Sequence, residues 1–169
     1  MAKASLILVA TFFLAQTLNS TEIYGVPKII DGDTVYINTK KIRLEGIDAP
    51  EIKQQCKKPF LKISVIIGFE FNKNYACGVI AKKKLVDKIK SSKIKCISSS
   101  KDMYKRFLAT CYKDKINLNK WMVRNGNAVA YKRYSKDYLR DEAYAKENKL
   151  GVWEGSFICL LYTSPSPRD

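Results

Sequence analysis

Between Thr21 and Ile47 the chain runs through "EIYGVPKII", "TVYINT" and "KKIRLEGI", three short alternating or β-branched stretches separated by turn residues. A period of two carried by such side chains predicts strands. Asp31-Gly32 and Asn38-Thr39 are the expected turns. After Glu51 comes an irregular basic stretch, then "FLKISVIIGFEF" (residues 60–71), apolar at eight of twelve positions. A bilayer span takes about 20 apolar residues. This run is too short and reads as a buried strand or packed loop, with a membrane-touching hairpin as the alternative. The period then lengthens. Residues 75–92 predict a helix with Val79, Val86 and Ile89 on one face and lysines on the other. "KIKCISSS" and "RFLATCYK" predict two more strands joined by "KDMYK". A second helix is expected in "LNKWMVRN", capped by Asn117 and ended by Gly126, followed by a strand-like "AVAY". A third helix is expected from near Ser135 to Gly151.

Five strands with helices inserted after the third and fifth do not alternate as a parallel α/β fold would. The expected class is α+β: a small five-stranded barrel of the oligonucleotide-binding (OB) type with three helices. One face of such a barrel suits single-stranded nucleic acid.

Composition changes this picture in three ways. At 169 residues and 46% apolar, the chain has room for one domain with a real core, and its 10 Tyr, 7 Phe and 2 Trp exclude a disordered polycation. Residues 1–20 have the short basic start (Lys3), apolar stretch (Leu6 to Leu18) and polar end of a cleaved signal peptide, so the expected location is secreted or periplasmic. The folded domain is then 21–155. Residues 156–169, ending "CLLYTSPSPRD", break with the lysine-rich body and read as a non-native or disordered tail.

Export suits the cysteines. Cys56, Cys77, Cys96 and Cys111 lie in the body, and four cysteines allow three pairings. The local one, Cys56 with Cys77 and Cys96 with Cys111, is favoured. Zinc would need CxxC-type spacing or histidine, and neither is present.

The formal charge of +15 points to a polyanionic partner: nucleic acid, anionic lipid or acidic polysaccharide. The absence of histidine removes Ser-His-Asp, Cys-His and histidine-based ribonuclease chemistry. What remains is carboxylate, arginine, tyrosine and lysine chemistry, with or without a hard metal. Against the positive charge, "DGDTVYINTKKIRLEGIDAPE" gathers Asp31, Asp33, Asp48 and Glu51 around Arg43. As turn decoration these acids need no further account. As a site, Asp33 and Asp48 brought to one barrel edge, with a backbone carbonyl and water, make an all-oxygen shell for Ca²⁺. Arg43 lies between Ile42 and Leu44 and so points away from them, where its planar fork can clamp a phosphate. Arg106 can reach the same phosphate, and Glu51 can orient or deprotonate a water.

These segments, with "DMYKRFLATCY", "LNKWMVRNGNAVAY" and "AYAKENKLGVW", resemble the thermonuclease (staphylococcal nuclease-like) family over residues 22–155. The two cysteine pairs resemble its disulfide-bearing exported bacterial branch. The resemblance implies a Ca²⁺-dependent, sugar-nonspecific endonuclease on an OB barrel, cutting DNA and RNA to leave 3′-phosphates, with a monomer as the family default. It places Asp33, Asp48 and the Ala49 carbonyl on the metal, and Arg43, Glu51 and Arg106 in catalysis, with Asp31 behind them. Tyr104, Tyr131 and Tyr134 fall near tyrosines that line the nucleotide pocket, where rings stack on bases. Two departures stand out: Lys105 replaces a glycine, where it can add a phosphate contact, and Asn127 stands where a bulky apolar residue is common. The alternative function is a non-catalytic OB-fold module that binds nucleic acid without cutting it.

Overall fold

The computed structural model describes residues 20–63, 69–133 and 135–155, without the side chains of residues 60–63 and 69–71. All but the last residue of the expected signal peptide (1–20), the expected tail from residue 156 and Tyr134 lie outside the described residues. In chain order the strands are β1 (Thr21–Gly25), β2 (Pro27–Ile29), β3 (Thr34–Ile37), β4 (Lys40–Leu44), β5 (Ile47–Asp48), β6 (Cys56–Ile63), β7 (Phe69–Tyr75), β8 (Ile94–Lys101), β9 (Phe107–Lys113), β10 (Ile116–Asn117) and β11 (Val129–Ala130). Three helices, α1 (Cys77–Ile89), α2 (Leu118–Arg124) and α3 (Leu139–Glu147), precede a 3₁₀ turn at Gly151–Glu154.

The main sheet runs β1-β8-β9-β4-β3-β2, with β10 pairing β9. Its two ends are successive pieces of one run broken at Val26, because β1 pairs with β8 and β2 with β3. The sheet therefore curls back on itself. The five expected strands are present, the first split between both ends of the path. Inside the curl, Val35, Ile37, Ile42, Leu44, Ile94 and Ala109 are at most 1% exposed. Burial of each larger aliphatic side chain contributes roughly 1.5–3 kcal/mol.

The α1 face differs from the expected one. Its buried positions are Cys77, Gly78, Ala81, Leu85 and Ile89, while Val79 and Val86 are 49% and 40% exposed. Residues four apart stack along a helix, so Cys77, Ala81, Leu85 and Ile89 form the continuous inward stripe. Of the expected face only Ile89 lies on it. The capping expectation holds for α2, where Lys120 N–H donates to Asn117 Oδ1 at 2.9 Å. Gly126, two residues past α2, has φ +65°, and a Cβ there would lie 2.0 Å from the Leu150 carbonyl oxygen. Only glycine meets both demands. The third helix begins at Leu139 rather than near Ser135; ahead of it Asp137 N–H donates to Ser135 Oγ, a local turn competing with helix.

Asn119 joins α2 to the barrel. Fully buried, it accepts from Cys111 N–H at 3.0 Å and donates to the carbonyls of Glu45 and Ala109 at 2.9 and 3.1 Å. Asn119→Ala would strand these buried groups and is expected to cost about 2 kcal/mol, read from the urea midpoint at unchanged m.

The apolar run at 60–71 enters β6 and β7, which pair antiparallel as a separate two-stranded sheet with an irregularity after Pro59. The run thus contributes to two paired strands outside the main sheet; residues 64–68 between them lie outside the described residues. Both favoured disulfides are present: Cys56–Cys77 joins the hairpin base to the start of α1, and Cys96–Cys111 bridges directly opposed residues of β8 and β9. Among the described residues no helix is long and apolar enough to cross a membrane.

Candidate active site

Three strands deliver the acids and the arginine to one point. Asp33 immediately precedes β3, Arg43 sits in β4 opposite Thr34, and Asp48 ends β5, held opposite Val129 of β11. Ile42 and Leu44 are buried in the core, so alternation turns Arg43 to the other face. There Arg43 Nη1 donates to Asp33 Oδ1, and Nη2 donates to Asp48 Oδ1 at 2.6 Å. Asp33 also accepts from Thr34 Oγ1 at 3.0 Å and from the Ala49 N–H at 2.8 Å, while its own N–H donates to Asp31 Oδ1 at 3.1 Å. Arg43, Asp33, Asp48 and Ala49 are thereby brought together, with Asp31 behind them.

Asp33 is 1% exposed. Burial pushes its carboxyl up to about 7, against the pull of the Arg43 charge and the Ala49 N–H; Asp31 and Asp48 push the same way as burial. Burial also works against the charge on Arg43. The carboxylates of Asp33, Asp48 and Asp31 outweigh it, holding the guanidinium above its ordinary value and charged. The cluster is thus richer in acids than one arginine can neutralise.

That imbalance suits a cation. Asp33 and Asp48 each direct an oxygen at the Arg43 guanidinium, and hard divalent ions such as Ca²⁺ take oxygen donors. Among the described residues no three Asp, Glu, Cys or His side chains gather to hold a metal. An ion here would therefore draw on two carboxylates, with main-chain oxygen or water completing its shell.

Glu51 lies three residues beyond Asp48 on an exposed turn, where Gln54 N–H donates to the Glu51 carbonyl at 2.8 Å and the Glu51 N–H to Gln54 Oε1 at 3.2 Å. The start of α1 is pressed against this turn. A Cβ at Gly78 would lie 1.8 Å from the Glu51 carbonyl oxygen, and the neighbouring Cys77 Sγ is 3.5 Å from the Gln54 carbonyl.

Arg106 extends from the first residue before β9. Arg43 is paired with Leu108, two residues on, so regular alternation puts both arginines on one sheet face. Arg106 Nε donates to Asp102 Oδ2 at 2.6 Å, and Asp102 Oδ1 accepts from the N–H groups of Tyr104 and Arg106 at 3.0 and 2.9 Å. Within this turn Lys105 has φ +61°, the left-handed conformation that glycine adopts freely. The substitution is therefore accommodated with the turn intact. Tyr104 is 51% exposed with the Arg106 guanidinium 5.3 Å from its ring centre. Tyr131 is half-buried just past β11, its N–H donating to the Gly46 carbonyl at 2.9 Å.

Sequence reasoning missed Asp102 and Thr34. Asp102 had a signal: an aspartate opening a short polar turn, four residues before an arginine, is suited to accept N–H groups from that turn. Asp102→Ala is expected to lose about 1–2 kcal/mol of stability, measured by urea unfolding.

Residues 41–155, which contain Arg43, Asp48, Glu51 and Arg106, match the family model described as "Staphylococcal nuclease homologue". The "Succinoglycan biosynthesis protein ExoI" of Rhizobium meliloti (strain 1021) is 31% identical over 134 residues, covering 78% of this chain and 64% of its own. An "Uncharacterized endonuclease" of Haemophilus influenzae is 36% identical over 135 residues, covering 76% and 64%. A "Micrococcal nuclease" of Shigella flexneri is 28% identical over 145 residues, covering 76% and 71%. The chain thus spans 64% of the length of the first two of these relatives.

Proposed function

The chain belongs to the staphylococcal nuclease family, and from that membership we propose that it is an endonuclease hydrolysing phosphodiester bonds of DNA and RNA, dependent on Ca²⁺ and leaving 3′-phosphates. The observation that carries this reading is the convergence of Asp33, Asp48 and Arg43 at one edge of the barrel.

Asp33 and Asp48 would hold the Ca²⁺, with the Ala49 carbonyl as a further ligand. The bound ion supplies positive charge against the phosphoryl oxygens. Arg43 exchanges part of its contact with the acids for the scissile phosphate, and its fork matches two phosphate oxygens. Arg106 leaves Asp102 to grip the same phosphate from the neighbouring strand. Glu51 orients a water and accepts its proton as the water oxygen attacks phosphorus; the bond to the 5′ oxygen then breaks, leaving the phosphate on the 3′ side. Phosphoryl transfer needs chiefly positioning and charge stabilisation, which two arginines and a cation provide without histidine. Tyr104, Tyr131 and Tyr134 are proposed to stack on bases, and Lys105 to add a backbone contact. The +15 charge supports salt-sensitive, sequence-independent attraction. The two disulfides favour an oxidising compartment, in keeping with secretion or a periplasmic location.

The test is digestion of single-stranded DNA by oxidised protein in millimolar Ca²⁺ and in EGTA. Cutting in Ca²⁺ that stops in EGTA is expected. Binding of DNA with no cutting in either would leave a barrel that only holds its ligand.

A further inference from the structure

A cavity of about 350 Å³ opens where α1, α2, the hairpin base and the 3₁₀ turn meet. None of Asp33, Arg43, Asp48, Glu51 or Arg106 lines it. Its volume is within the range of small-molecule sites, roughly 300–1,000 Å³.

The lining has three kinds of chemistry. Tyr75 and Trp121, both half-buried, supply aromatic surface. Lys84 on α1 and Lys58 on β6 supply ammonium groups; Lys58 is 3.6 Å from Glu154, leaving an excess of positive charge. The third is Asn127, the residue that stands where a bulky apolar side chain is common. It is 5% exposed, its main-chain N–H donates to the Met122 carbonyl at 2.8 Å, and no hydrogen bond of its side-chain amide is found among the described residues. The Asn127 amide is not a fully enclosed group, so it is open to the cavity, offering it one acceptor and two donor hydrogens.

We propose that this cavity is a second binding site, distinct from the catalytic edge, for a single nucleotide unit: its base against Trp121 and Tyr75 with its edge hydrogen-bonded to Asn127, its phosphate toward Lys84 and Lys58. An amide reads both donors and acceptors of a base edge, an aromatic face takes the ring, and ammonium groups take the phosphate. The choice of a nucleotide over another flat anion rests on the nuclease reading. The unit is either a free mononucleotide, such as a cleavage product, or the end of a strand.

The experiment is calorimetric titration in EDTA, with adenosine 3′-monophosphate, adenosine, inorganic phosphate and a hexadeoxynucleotide as separate probes. The proteins are the unaltered chain, Asn127→Leu and Lys84→Ala. Lys84 is exposed, so the second variant is independent of any folding defect in the first. Either nucleotide probe should bind, with affinity falling tenfold or more in both variants while DNA cleavage in Ca²⁺ is unchanged. Mononucleotide binding assigns a product site; hexanucleotide binding alone assigns a strand-end site. Equal affinity in all three proteins, or inorganic phosphate binding as tightly as the nucleotides, would overturn the proposal. Variant-sensitive nucleotide binding by a protein that cuts no DNA would remove the nuclease reading and leave the site standing.

Discussion

Glu51→Gln is expected to lower the rate of single-stranded DNA cleavage by about two to four orders of magnitude, the usual contribution of a positioned general base. Glutamine keeps the size of the side chain and removes its ability to take a proton. Because Glu51 is exposed, the stability change should stay within about 0.5 kcal/mol, so lost activity would not reflect unfolding. Binding to DNA, which draws on the basic surface and the arginines, should change little. The quantities to measure are kcat at saturating DNA and Ca²⁺, and the melting temperature of both proteins. A variant within threefold of the parent would place the proton acceptor elsewhere.

Removing either disulfide should destabilise the protein similarly but affect catalysis unequally. The bridges close 21 and 15 residues of sequence separation, and the chain-entropy model assigns each about 3 kcal/mol. Cys96 and Cys111 lie in the barrel core and join β8 to β9, neither of which carries the Glu51 turn. Cys77, in contrast, touches the Gln54 carbonyl and is followed by the Gly78 backbone that abuts Glu51. Paired substitution of Cys56 and Cys77 by serine should therefore lower kcat well below that of the Cys96/Cys111 double variant, with both assayed at a temperature where both are folded. Urea midpoints supply the stability comparison. Equal kcat in the two variants would mean that the bridge does not position the Glu51 turn.

Strand and helix positions were largely legible because alternation and helical period are local properties of the chain. The same holds for the Asn117 cap, whose side chain bonds an N–H only three residues away. The acids and Arg43 were legible as a set because they share one 21-residue stretch, although β11 is needed to hold Asp48 in place.

What stayed hidden depended on partners far along the chain. Whether α1 turns Leu85 or Val86 inward is decided by the surface it meets, because its apolar residues allow more than one face. The first strand run divides between β8 and β3 at Val26, a consequence of closing the sheet that no alternation pattern records. Asn119 looks like any polar helix residue until strand β9 and Glu45 supply its three bonds. The cavity beside Asn127 exists only where α1, α2 and the 3₁₀ turn meet. By itself the sequence determined the elements and the residue types available at the acidic edge, since alternation and helical period are local and the acids and Arg43 share one short stretch. Only the tertiary structure decided which faces are buried, how the sheet closes and what presses on Glu51, because burial and close approach arise between segments remote in the chain.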